Sequence, residues 1–193
     1  MKTIILLITI HASLITFHSS AQGVSNSILD SGYKVLRINK KYDEVKQYLV
    51  KIDKKDLWDT AKSRGIGGQF TSGWTVNLKK AGMETFFGLK VDRIEVYFNG
   101  ELDKNDKPYD TDIFCFTIYC VKPSNEKDAD VFRAKMFDYY GTAEIMFSED
   151  HKTLIHNTWF TTITMFTAIY GVEYFTNKKL KYYEMHFEQG YGG

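Results

Sequence analysis

Ile113-Phe114-Cys115-Phe116-Thr117-Ile118-Tyr119-Cys120-Val121 is apolar or aromatic at almost every position and rich in residues that favour strands. An extended chain sends alternate side chains to opposite faces, so this run carries bulk on both. Such a strand belongs in the middle of a sheet, with helix over one face and further chain over the other.

Upstream, Val91-Asp92-Arg93-Ile94-Glu95-Val96-Tyr97-Phe98 alternates cleanly. Ile94, Val96 and Phe98 share one face of a half-buried strand, and Arg93, Glu95 and Tyr97 share the other. Asn99-Gly100 reads as a turn, and the polar stretch 101–112, with Pro108 inside it, as an exposed loop. Trp74-Thr75-Val76-Asn77-Leu78 alternates as well and predicts an earlier strand.

Downstream, Pro123-Ser124 interrupts the ladder. Asp128 or Asp130 is the expected cap of a helix over 128–140, in which Val131, Phe132, Lys135, Met136 and Tyr139 form a broad face before Gly141. Strands are expected at 143–147, at 154–170 with a bend, at 172–175 and at 180–187.

Towards the N-terminus, Tyr42, Val45, Tyr48, Leu49 and Ile52 fall at helical spacing. They predict a helix over 42–52 that continues through Asp56-Leu57-Trp58 and ends before the glycines of 65–68. Residues 22–33 read as a mobile lead-in, and 35–38 as a short strand. The expected fold class is α+β, with two helices, around 42–58 and 128–140, packed on a mostly antiparallel β-sheet. A weak echo between 94–102 and 172–180 is consistent with two related α-plus-sheet halves.

Residues 1–21 have the pattern of a secretory signal peptide: Lys2, then the apolar run Ile4–Ile10, then Ser19-Ser20-Ala21 as a cleavage site. The apolar core is too short for a stable membrane span. Residues 22–193 are then a single secreted or periplasmic α+β domain with no transmembrane segment. Its charge is balanced, because the whole chain has 25 Lys+Arg against 24 Asp+Glu and the leader carries Lys2. Nucleic acid is therefore not an expected partner, since it calls for a concentrated positive footprint. The lysines of 34–55 read as the wet face of a helix.

Cys115 and Cys120 lie five steps of about 3.3 Å apart on one strand, facing opposite ways. A disulfide needs its Cα atoms within about 7 Å, so two buried thiols are expected even in an oxidising compartment.

No motif for a catalytic metal, a cofactor or a nucleophile is matched. The spacings of His151, His156 and His186 fit neither HExxH nor a short zinc clip. The acidic stretch 103–112 fails the EF-hand register, placing Pro108 where glycine is needed and Phe114 where glutamate is needed. Gly65-Ile66-Gly67-Gly68 follows an expected helix rather than a strand and lacks Gly-Lys-Ser/Thr. No Gly-x-Ser-x-Gly occurs.

Aromatic richness is the strongest remaining signal, at 13 Tyr, 14 Phe and 3 Trp. Tyrosine and tryptophan offer an apolar body with a polar tip, which suits recognition surfaces. The leading expectation is a non-enzymatic exported binding module that recognises a protein or small ligand through an aromatic sheet face at Trp159, Tyr182, Glu184 and His186. One alternative is a small exported hydrolase using His186 and Glu184, neighbours on one strand face. Another is an envelope-structural or assembly subunit, a homo-oligomer joined through an unpaired edge strand.

Overall fold

The computed structural model describes residues 27–53, 70–76, 82–102, 108–149, 152–173 and 178–190. The expected signal segment, the glycine cluster, the expected helix continuation through 56–58, residues 103–107 of the acidic stretch and His151 lie outside them.

Eleven strands are described: β1 Leu49–Asp53, β2 Phe70–Val76, β3 Thr85–Phe86, β4 Leu89–Leu102, β5 Pro108–Cys120, β6 Glu144–Phe147, β7 Leu154–Phe160, β8 Thr164–Ile169, β9 Val172–Glu173, β10 Lys178–Lys179 and β11 Tyr183–Gln189. The helices are α1 Ser27–Asp30, α2 Tyr42–Val45 and α3 Glu126–Tyr140. The main sheet is antiparallel and curled, ordered β1-β2-β4-β5-β11-β8-β7-β6, with β3 pairing to β4. β9 and β10 form a separate hairpin. The fold is thus the expected α+β, with β5 central and bulk on both its faces.

The core-side face holds one dominant feature, a file of four rings across four strands. Phe116 stacks on Phe187 at 4.6 Å, Phe187 on Phe166 at 4.2 Å, and Phe166 on Trp159 at 5.1 Å, with interplanar angles of 11°, 11° and 13°. The register places these four residues directly opposite one another on β5, β11, β8 and β7. Helix α3 lies over this face through Phe132, Met136 and Tyr140. Phe86 joins the layers, meeting Tyr33, Phe132, Phe166 and Phe187 within 6.4 Å between ring centroids.

Several local expectations are corrected. The helix over 42–52 is one turn, α2, followed by a 3-10 turn at Lys46–Tyr48, and from Leu49 the chain is strand. Leu49-Val50-Lys51-Ile52 fits a period of two as well as 3.6, and pairing with β2 decides between them. Asn99-Gly100 is not a turn: β4 runs through it with a register shift between Asn99 and Glu101. Much of the expected loop 101–112 is accordingly ladder, with Pro108 tolerated as the first residue of β5. Helix α3 starts earlier than expected, because Asn125 is its cap and accepts from the Asp128 backbone N–H at 2.9 Å. The lead-in is anchored in its latter part, since Leu29 and Tyr33 are core and Asp30 accepts from the Thr161 hydroxyl. The echo does not produce equivalent elements, because 94–102 lies within β4 and 172–180 spans β9 and β10.

Candidate functional site

On the face away from α3, β-register assembles a polar row of Glu95, Thr117, His186, Thr167, Thr158 and Glu144, one each on β4, β5, β11, β8, β7 and β6. Thr117 Oγ1 is 2.9 Å from His186 Nδ1, and His186 Nε2 is 3.4 Å from a Glu188 carboxylate oxygen. Thr158 and Thr167 hydroxyls meet at 3.3 Å. Glu95 accepts from the Tyr97 and Tyr119 hydroxyls at 2.6 and 2.9 Å, and from Arg93 Nε at 3.3 Å.

The neighbouring row brings Arg93, Tyr119, Glu184, Ile169 and His156 together. The Arg93 guanidinium lies 3.6 Å from the Tyr119 ring centroid and 5.3 Å from that of Tyr182. Burial opposes its charge, but Tyr119, Glu95 and Asp92 outweigh that effect and raise the Arg93 pKa. His156 is pushed the other way, below the usual imidazole range, by burial that outweighs attraction from Glu144.

The structure therefore gathers Tyr182, Glu184 and His186 on one face but not Trp159. Trp159 is 2% exposed, ends the ring file on the opposite face, and donates its indole N–H to the Gly141 carbonyl at 2.8 Å. Cys115 and Cys120 are buried thiols on opposite faces, as the strand spacing requires. Burial pushes Cys120 up to about 12, so it stays protonated at neutral pH. Among the described residues, no group of three or more His, Cys, Asp or Glu is placed to hold a metal. No described helix is long and apolar enough to cross a membrane.

A second arrangement, with no motif to announce it, is a cleft of about 530 Å³ at the rim of the core. Ser31, Gly32, Tyr33 and Lys34 form one wall, Thr85, Phe87 and Gly88 the second, and Tyr139 with Tyr140 the third. The Phe87 ring meets those of Tyr139 and Tyr140 edge-on at 5.3 and 5.7 Å. Tyr139 is 48% exposed, and Tyr140 is buried with its phenol held neutral by desolvation. The Tyr33 hydroxyl donates to the Thr85 carbonyl, tying two walls together.

The backbone around this cleft is unusual. Gly32, Lys34, Phe87 and Gly88 all have positive φ, at 68°, 57°, 47° and 94°. Gly32 requires glycine, because a Cβ there would stand 2.2 Å from the Leu36 carbonyl oxygen. Phe87-Gly88 joins β3 to β4 as a two-residue hairpin loop, whose two positive φ values usually select Asn-Gly. A bulky aromatic there costs about 1–2 kcal/mol of backbone strain, offset by its ring contacts. The sequence signal that could have found the site is this Phe-Gly pair where a hairpin prefers Asn-Gly. No protein-family model, curated protein or solved structure matches the chain.

Proposed function

We propose that the chain is an exported, non-enzymatic binding module that takes a small ligand in the aromatic cleft between Lys34, Phe87 and Tyr139. The carrying observation is the strained Phe87 ring held edge-on to a half-exposed Tyr139 at the mouth of a cleft of about 530 Å³. That volume is ordinary for small-molecule sites, which run to about 300–1,000 Å³. Strain that persists at a cleft wall, rather than being relieved by asparagine or glycine, favours a ligand-binding role for the ring.

Binding is favoured over turnover by the surroundings of His186. A hydrolytic base needs a substrate proton within reach. Here both imidazole nitrogens are engaged by Thr117 and Glu188, His186 is 6% exposed, and Thr117 has no exposed surface. The Tyr182, Glu184 and His186 face supports the sheet in this reading. Export is supported by the N-terminal pattern of residues 1–21.

The test is a ligand-observed NMR screen of one- and two-ring compounds, neutral and charged, against the protein and its Y139A variant. At least one compound should bind the parent and lose at least tenfold in affinity to Y139A. A screen in which no compound distinguishes the two folded proteins overturns the cleft as a ligand site.

A further inference from the structure

Two lysines stand at the mouth of the cleft. Lys34 stands exposed at the tip of the turn closed by Tyr33 and Leu36, whose backbone groups exchange hydrogen bonds of 2.8 and 2.9 Å. Lys135 precedes Tyr139 by four residues on α3 and so shares its helical face. Its ammonium reaches the hairpin tip, where a Cβ added to Gly88 would lie 3.4 Å from Lys135 Nζ. Two cations on separate elements thus border the cleft that Phe87 and the half-exposed Tyr139 line. The lining itself contains no Asp or Glu. The Glu84 carboxylate acts on the Tyr33 phenol from outside that lining and helps burial push it up to about 12.

Two of the neutral hydroxyls are already committed. Ser31 gives its hydroxyl proton to the Ile28 carbonyl at 2.6 Å, and Tyr33 gives its own to Thr85. A ligand oxygen at the mouth has two ammonium groups to meet it, and these favour an anionic acceptor over a neutral one. The rings below favour a flat apolar body placed edge-to-face.

Resting on the cleft as the ligand site, we propose that its ligand class is a small aromatic carboxylate, with the ring between Phe87 and Tyr139 and the carboxylate between Lys34 and Lys135. Lysine suits this task, being a flexible point charge that can follow a carboxylate at a solvent boundary without a fixed fork geometry.

Calorimetric titration with 2-naphthoate and its neutral counterpart 2-naphthamide tests the charge, with amide shifts of Gly88 and Tyr139 reporting the place. Naphthoate should bind at least tenfold more tightly than naphthamide, weaken as salt rises, and perturb both amides. In the K34M/K135M double variant the ratio should fall towards one. Both lysines are surface residues, and an unchanged amide spectrum away from the cleft certifies the fold. Equal affinity of the two probes, with the cleft amides shifting, overturns the carboxylate assignment and leaves the cleft standing. Absence of any shift at Gly88 and Tyr139 with either probe overturns the carboxylate assignment and counts against the cleft as well. Tight naphthoate binding that survives K34M/K135M also overturns the assignment.

Discussion

Phe87 meets Tyr139 edge-on, with ring centroids 5.3 Å apart, from a backbone position of φ 47° that its side chain disfavours. Replacing it with asparagine separates turn geometry from ring chemistry. F87N relieves about 1–2 kcal/mol of left-handed strain and loses edge contacts worth about 0.5–1.5 kcal/mol each. Three such contacts, to Phe86, Tyr139 and Tyr140, outweigh the relieved strain, so urea unfolding should place F87N no more than about 3 kcal/mol below the parent, while binding of any cleft ligand falls at least tenfold. A stability loss above about 3 kcal/mol would identify the ring as core packing instead.

The four-ring file makes Phe166 and Phe187 the most costly side chains to truncate, since each is stacked on both sides and has no exposed surface. F187A should cost about 3–5 kcal/mol, and F187L much less, because it keeps most of the volume. Midpoints of urea unfolding measure both. A cost below about 1.5 kcal/mol for F187A would mean that the file contributes little.

Thr117 and His186 form a buried polar pair, so removing one partner strands the other. T117V should cost about 1–3 kcal/mol, and T117V/H186L less than the sum of the two single changes. Strict additivity in this double-mutant cycle would show that the 2.9 Å contact carries no coupling.

Cys120 sets a dependence on alkaline pH. Its folded pKa is raised from 9.0 to about 12 by burial. Below pH 9 both states hold the proton, and the stabilising difference is fully present. Between 9 and 12 the unfolded thiol loses its proton first, so stability falls by about 1.4 kcal/mol per pH unit from this group. C120A should flatten that decline between pH 9 and 11, measured by urea unfolding. Parallel declines in the two proteins would assign the effect elsewhere.

The proposal that residues 1–21 are a signal peptide predicts a mature N-terminus at Gln22 when the chain is expressed with an export pathway present. Intact-mass measurement of the exported protein checks it, and a retained Met1 would refute the signal reading.

Legibility followed periodicity. Strands 91–98 and 113–121, the helix ending at Gly141 and the opposite-facing thiols were readable because alternation and glycine termination are local properties. Segment 42–52 was misread because its apolar residues satisfy two periods, and only the edge of β2 chooses between them. Asn99-Gly100 misled for a related reason, since a strong turn pair can be absorbed into a strand as a register shift when both neighbours continue. Of the residues singled out for recognition, Glu184 and His186 share a face by strand period alone, and Tyr182, one residue before β11, joins them beside Arg93 and Tyr119. Trp159 could not be assigned to either face relative to them, because that depends on how β7, β8 and β11 are registered.

The residue pattern alone specifies an α+β domain, a central aromatic strand and two thiols too far apart to join. Those follow from local spacing, which no tertiary arrangement can alter. Only the tertiary structure decided that the last strand enters between β5 and β8. That single insertion places Phe187 in the ring file and His186 in the polar row. It likewise took the fold to bring residues 31–34, the Phe87-Gly88 hairpin and the end of α3 around one cleft. Contacts among such distant segments depend on packing of the whole chain, and no local period encodes them.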